Sequence, residues 1–312
     1  MSAYIHNIFY ELGQKAPIYS LPEVAENESL YEILNNEGNG FKNYLFYEES
    51  IFEFAESLLK KYFKQNSIDP LEIDLVIFAS DSFADIPGKM KKLGALLNEN
   101  NLLNAYPLSI GFSECSNLHM AISVANAFVN QEVYKNVLVL TLDLTSVISP
   151  ITRIVMPGIA IMSDAASCCL VSKNPDSEKW KVVSTAQKTH PLLLQGKLLR
   201  KEELSLRMKS HLELFDELFQ THDNFSKNDI AKIISSNFLP SVLSVLLTSC
   251  GFKKDQLFFD GIPKYGHCLG SDCLINLADY IKSDRLKDRD KVVLYGEGPS
   301  QWGAIMLEYY LD

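Results

Sequence analysis

At 312 residues with a net charge of −10, the chain is long enough to bury a sizeable core, as one large domain or two intimate halves, and too acidic for nucleic acid to be its main partner. Apolar content of 47% against 22% charged is that of an ordinary globular protein, which argues against a disordered chain. No basic segment followed by an apolar core opens the sequence, and Asp143 interrupts the most apolar run, around Val137 to Leu142, so neither a secretory signal nor membrane insertion is expected. The six cysteines lack a small-scaffold spacing and two of them, Cys168 and Cys169, are adjacent, which suits reduced thiols in the cytoplasm.

Residues 1–47 give a short apolar opening and a Pro-containing loop of mixed polarity. From Glu48 to Phe63, Ile51, Phe54, Ala55, Leu58, Leu59 and Tyr62 recur at helical spacing, which predicts a helix. Ile73 to Ala79 is continuously apolar between Pro70 and the polar Ser80-Asp81-Ser82, and reads as a strand buried on both faces. A helix over Lys89 to Glu99 precedes a short strand at Leu108 to Phe112, after which Leu118, Ala121, Ile122, Ala125 and Val129 set another helical period. A strand over Asn136 to Asp143 follows, and Ile159 to Val171 reads as two apolar runs about a tight turn at Asp164, whose side chain caps and stiffens that turn. From Trp180 the chain passes through a polar strand into a charged helix, Lys197 to Leu218, which is either a basic patch or a solvated face. After Ser226 the earlier order recurs: strand Ile230 to Ile234, helix Leu239 to Ser249, strand Gln256 to Asp260, helix Asp272 to Ile281, strand Lys291 to Tyr295 and a last strand from Trp302. Such repetition suggests two related halves whose sheets share a covering of helices.

Cys115 stands where the strand ending at Phe112 meets the following helix. Free amide groups and the positive end of a helix dipole stabilise a thiolate there, which would lower the thiol pKa and make a usable nucleophile. An ordinary buried cysteine is the alternative.

The repeat, with Cys115 opening the central helix of its first half, resembles the thiolase superfamily, most closely its ketoacyl synthase III branch, over nearly the whole chain. Ser113 to Ala125 is similar to the family's nucleophile segment, and Met162 to Val171 to its Gly-Asp-Gly-Ala turn, with Ser163 and Ala165 where Gly is usual. Gly296 to Ala304 resembles the Gly-rich oxyanion turn with one residue inserted. The resemblance implies an α/β, thiolase-like five-layered fold of two pseudo-repeated halves with mixed sheets, 1–175 carrying the nucleophile and 176–312 completing the site. It implies that Cys115 takes an acyl group from a coenzyme A thioester or from the phosphopantetheine of an acyl carrier protein, with no permanently bound cofactor. The amides of Cys115 and Gly298 would hold the thioester oxyanion. A homodimer, or a heterodimer with a related ketosynthase-like chain, is implied, built largely around Asn136 to Asp143. Carrier-protein docking would use the Lys197 to Lys209 stretch, with Lys201 and Arg207.

Two departures matter. The family's His-Gln-x-Asn-Pro pattern reads Ser236-Asn-Phe-Leu-Pro, which puts Ser236 at the His position, and the family's Asn corresponds to His267. Decarboxylative condensation needs two strong donors for the enolate, typically worth a few kcal/mol each, whereas acyl transfer asks only for a thiolate, an oxyanion hole and a base. The expectation is therefore a ketoacyl synthase III-like acyltransferase in secondary metabolite or specialised fatty acid or polyketide biosynthesis, with Cys115, His267 and Ser236 converging at one pocket. Its acceptor atom could be carbon, oxygen or nitrogen, and condensation stays open. The competing reading is a catalytically weak or silent partner subunit of a heteromeric ketosynthase. A metal site from His267, Cys268 and Cys273 with Cys168 or Cys169 lacks a Cys-x-x-Cys pair, so none is expected. Gly296-Glu-Gly is only a fragment of a dinucleotide fingerprint. His119 lies one helical turn after Cys115 and could face the pocket, or be an ordinary hydrogen-bonded helix residue; His190 and Glu114 are auxiliary candidates.

Overall fold

The same run of elements, β-α-β-α-β-α-β-β, occurs twice along the chain. It comprises β1 (Tyr4–Leu12), α1 (Ile51–Gln65), β2 (Leu75–Ala79), α2 (Lys89–Glu99), β3 (Tyr106–Ile110), α3 (Asn117–Asn130), β4 (Val137–Asp143) and β5 (Ala165–Ser172). The second pass is β6 (Lys179–Thr189), α4 (Arg200–Gln220), β7 (Ile230–Ser235), α5 (Pro240–Ser249), β8 (Leu257–Phe258), α6 (Asp272–Ile281), β9 (Lys291–Glu297) and β10 (Gln301–Tyr310). The structure, a computed structural model, describes residues 3–35, 40–83, 86–155, 158–173, 175, 179–220, 225–283 and 285–311. The junction expected between 175 and 176 adjoins 176–178, which lie outside the described residues.

Strand order is β3-β2-β4-β5-β1 in the first run and β8-β7-β9-β10-β6 in the second, the same order with the same directions: three parallel strands, then two antiparallel ones. The two sheets expected from the repeat are joined. Tyr4 pairs with Lys181 and Ile5 with Trp180, so β1 and β6 close a short seam that makes one ten-stranded mixed sheet.

Side chains alternate across each strand, so a strand covered on both faces reads as continuous apolar sequence. On β4, Val137 and Val139 face a layer formed by α3 and α6, through Leu118, Ala121, Ile122, Leu274 and Leu277. Leu138, Leu140 and Leu142 face the other way, against Phe54, Leu58, Leu59 and Tyr62 of α1 and Leu96 of α2. On β9, Val292 and Leu294 meet the α3–α6 layer, whereas Val293 and Tyr295 meet Leu214, Phe215, Leu243 and Leu247 of α4 and α5. The layers therefore alternate helix, sheet, helix, sheet, helix. Ser50 starts α1 with a capping box to Glu53, a device whose loss costs about 1 kcal/mol.

Two expectations need correcting. The short apolar opening is a full strand, Tyr4–Leu12, in which a register shift between His6 and Phe9, with Asn7 at φ 50°, breaks the alternation that would have marked it in the sequence. The strand at Asn136 to Asp143 cannot carry a dimer contact through its backbone, since β4 is hydrogen-bonded to β2 on one side and β5 on the other; the free edge of that half-sheet is β3. No helix among the described residues is long and apolar enough to cross a membrane.

Candidate active site

The carboxyl ends of the parallel strands and the starts of α3 and α6 meet at one cavity of about 190 Å³, as open α/β sheets place their sites. The two starts are built alike. A 3₁₀ turn, Glu114–Ser116 or Leu269–Ser271, precedes each helix, and its first residue has a left-handed backbone, φ 53° at both Glu114 and Leu269. Counting from those turns, Cys115 corresponds to Gly270 and Asn117 to Asp272.

The first turn is held by Asp81, whose Oδ1 accepts the Phe112 amide at 2.6 Å and whose Oδ2 accepts Asn117 Nδ2 at 2.9 Å. Asn117 in turn accepts the Ser113 amide at 3.0 Å. Non-glycine residues in the left-handed region cost of order 1 kcal/mol or more each and persist where the surroundings fix them. Phe112, at φ 63°, and Glu114 flank this corner on the way to the nucleophile.

Cys115 Sγ lies 3.2 Å from His267 Nε2, and His267 Nδ1 donates to Asp272 Oδ2 at 2.5 Å. Asp272 also accepts the Asn237 amide at 2.8 Å on Oδ2 and the Cys268 amide at 2.7 Å on Oδ1. It is the first residue of α6. His267 is fixed through its backbone as well: its amide donates to Ile161 O at 2.8 Å, and its carbonyl accepts the Ser163 amide at 2.8 Å. Behind this contact, Asp164 accepts the amides of Thr145 at 2.8 Å and Tyr47 at 2.9 Å and pairs with Arg153 at 3.0 Å. The Phe238 ring stands edge-on to the imidazole, 4.8 Å between centroids.

The result is a Cys115–His267–Asp272 triad, buried throughout. Burial pushes the Cys115 thiol well above its ordinary value, with further upward pushes from the charges of Asp272, Glu114, Asp143 and Asp81. The push is opposite to the one expected from the helix start: burial, the largest cause, and the four nearby carboxylates all disfavour the thiolate. A thiol held neutral needs a base in contact, and the Nδ1–H bond to Asp272 leaves Nε2 as the lone-pair nitrogen facing Sγ.

Ser236 takes no part in the cavity wall. It sits at the end of β7, where its amide donates to Tyr295 O at 2.9 Å and its Oγ accepts the Glu297 amide at 3.3 Å. Gly298 does line the cavity, but its amide donates to Gln301 O at 2.9 Å, within the turn between β9 and β10. Glu114 anchors that turn by accepting the Ser300 amide at 2.9 Å, the Ser300 hydroxyl at 3.0 Å and the Gln301 amide at 3.2 Å. There is no room for a side chain at Gly298, where a Cβ would stand 2.2 Å from Glu114 Oε2. His119 points away from the cavity into the core: a Cβ on Gly296 would fall 2.4 Å from its Cε1 and one on Gly303 2.5 Å from its Cβ, so both glycines make space for it. Burial takes the His119 pKa down to about 3, which suits a neutral core ring. His190 is tied through its amide to Ser300 O at 2.9 Å and does not line the cavity.

Sequence reasoning missed Asp272 and Asn237. Asp272 opens the helix expected from Asp272 to Ile281, yet its separation of five residues from His267 gives no contact unless a turn folds the chain back. All six cysteines are free and buried, and among the described residues no group of three or more His, Cys, Asp or Glu is arranged to hold a metal ion.

A doubled βαβαβαββ chain with a central helical layer and a Cys–His–Asp cluster at the junction of its halves is thiolase-like in architecture. Residues 113–191 match the family model for 3-oxoacyl-[acyl-carrier-protein] synthase III. A β-ketoacyl-[acyl-carrier-protein] synthase III from Aquifex aeolicus is 24% identical over 277 residues, spanning 84% of this chain and 85% of that protein. Among solved structures, the acyltransferase ChlB3 superposes with a TM-score of 0.82 at 14% identity, covering 100% of this chain and 99% of ChlB3. The priming β-ketosynthase of the R1128 polyketide pathway gives 0.78 at 13% identity, covering 99% and 96%. The fold is thiolase-like, and residues 113–191 are similar to the ketoacyl synthase III family.

Proposed function

We propose that this chain is an acyltransferase that loads an acyl group from a coenzyme A or acyl-carrier-protein thioester onto Cys115 and passes it to a second substrate. The observation that carries this is the 3.2 Å contact from Cys115 Sγ to a His267 whose far nitrogen is held by Asp272. His267 Nε2 takes the thiol proton as sulfur attacks the thioester carbonyl, and Asp272 stabilises the imidazolium that forms. The Cys115 amide, in the turn ahead of α3, is the oxyanion donor we assign; Gly298 joins it only if its bond to Gln301 O opens. The tetrahedral intermediate then expels the coenzyme A or phosphopantetheine sulfur, and imidazolium protonates that departing thiolate. In the second half-reaction His267 takes a proton from the acceptor, the acceptor attacks the acyl carbon, and the Cys115 thiolate leaves and is reprotonated.

Transfer is favoured over decarboxylative condensation because Ser236, at the position expected to supply the second enolate donor, lies outside the cavity lining. An intact triad also weighs against a silent partner subunit. The resemblance to an acyltransferase and to a polyketide priming enzyme fits a role in specialised fatty acid or polyketide biosynthesis.

Intact-protein mass spectrometry after incubation with acyl-coenzyme A and acyl-carrier-protein panels tests the reading. A mass gain lost in Cys115→Ala and slowed in His267→Ala is expected. Absence of any gain with a correctly folded chain would return the partner-subunit reading to first place.

A further inference from the structure

Asp143 ends β4 on the side facing the central helices, 3% exposed, in the wall of the cavity that holds Cys115. Its two oxygens are treated differently. Oδ1 accepts the hydroxyls of Ser80 at 2.9 Å and Ser82 at 3.0 Å and the amides of Asp81 at 3.1 Å and Ser82 at 3.3 Å. Oδ2 has no hydrogen-bond partner among the described residues and looks past Gly270, where even an added Cβ would stand 3.8 Å away. No cation pairs with Asp143 or with neighbouring Asp81 among the described residues.

The other carboxylates of the cavity wall are engaged. Asp81 holds Phe112 and Asn117, Glu114 holds Ser300 and Gln301, and Glu297 accepts the Tyr295 hydroxyl at 3.1 Å. Arg207, the one Lys or Arg in the wall, is paired with Glu203 at 3.0 Å. A carboxylate oxygen left open on the cavity surface beside a reactive acyl group is poorly compensated when charged, and a cationic nitrogen would satisfy it where an alcohol or a carbon acid would leave the charge uncompensated.

Resting on the acyl-transfer reading above, we infer that Asp143 binds the nitrogen of an amine acceptor, so that transfer from Cys115 forms an amide. The acceptor arrives as an ammonium, R–NH₃⁺, paired with Asp143 Oδ2. One proton passes to Asp143, and the free amine attacks the acyl carbon of acyl-Cys115. The C–N bond forms and the C–S bond breaks; a second proton goes through His267 to the departing Cys115 sulfur, and the third stays on the amide. Asp143 returns its proton to solvent. Burial, reinforced by the charge of Asp81 and opposed by the bonds from Ser80 and Ser82, brings the Asp143 carboxyl up to about 7, where it can both hold a charge beside an ammonium and accept its proton.

The experiment starts from protein acylated on Cys115 and follows loss of the acyl mass with butylamine or 1-butanol. Each rate is divided by that of the same nucleophile with an N-acetylcysteamine thioester in free solution. We expect wild-type protein to prefer the amine by more than tenfold beyond the solution ratio, and Asp143→Asn to lose at least a tenfold part of that preference, scored only on its acylated fraction. No preference in the wild type, or an undiminished one in the variant, overturns the inference. Should the variant not fold, tetramethylammonium added to wild-type protein decides: it should block discharge by butylamine where tert-butanol at the same concentration does not, and equal inhibition by the two overturns the inference. Failure of Cys115 to acquire any acyl group refutes instead the underlying acyl-transfer reading.

Discussion

Asp272 receives the Nδ1–H of His267 at 2.5 Å, and this bond decides which imidazole nitrogen faces Cys115. The two residues lie on either side of a 3₁₀ turn whose first residue, Leu269, is left-handed, so the short loop returns the carboxylate beneath the ring. Asn at 272 would offer its amide to Nδ1, place the proton on Nε2 and turn the wrong tautomer toward the thiol. Asp272→Asn should therefore slow acyl loading on the order of 10⁴-fold, as tautomer reversal does in the Ser-His-Asp triad. Loading rates against pH, measured beside melting curves, check this. A matched loss of rate and of folded protein, with an unchanged pH profile, would reduce Asp272 to a structural part.

Because burial and four carboxylates hold the Cys115 thiol above its ordinary value, its reactivity near neutrality depends on His267. His267→Ala should slow alkylation of Cys115 by iodoacetamide at pH 7.5 on the order of 10²-fold. In that variant the rate should keep climbing past pH 9, the ordinary thiol value, as the thiolate finally forms without help. Equal alkylation rates in the two proteins would remove His267 as the base.

How far the site could be read from the sequence follows from which contacts are local. The doubled order of elements, Cys115 at its corner and His267 all lie in short patterns, because periodicity and turn residues are local properties. The burial that dominates the thiol's environment, and three of the four carboxylates that add to it, Asp81, Asp143 and Asp272, come from separate segments that no spacing brings together. The resemblance implied a dimer built around the β4 stretch, but largely apolar residues on both faces mark a strand inside a sheet. Pro107 was the better signal, since a strand with a proline belongs at an edge, where β3 is found.

Asp143 should also leave a mark on stability. Its carboxyl moves from an ordinary 3.8 to about 7 on folding, so between those values the folded chain keeps a proton that the unfolded chain has released. Stability therefore falls as pH rises through that window, toward a cost of about 4 kcal/mol above it at 1.4 kcal/mol per unit. Asp143→Asn keeps an acceptor for Ser80 and Ser82 and removes the charge, so it should be more stable than wild type at pH 8 by about 1–4 kcal/mol, with the gap closing toward pH 4. Urea unfolding at three pH values checks the slope; a gap independent of pH would mean that Asp143 is ionised throughout.

The charged helix α4 separates two roles that its sequence had merged. Lys201 is exposed near its start, whereas Arg207, six residues on, is part-buried against Glu203 and reaches the cavity wall. If a carrier protein docks on the start of this helix, charge reversal at Lys201 disturbs only the long-range attraction of an acidic partner. Lys201→Glu should then raise KM for an acyl carrier protein on the order of tenfold, more at low salt, and leave coenzyme A thioesters unaffected. Arg207→Glu should impair both donors, because it adds a carboxylate to a wall that already carries Glu297. Steady-state loading with matched acyl groups on the two donors separates the cases, and a Lys201→Glu protein equally impaired with both would place the docking surface elsewhere.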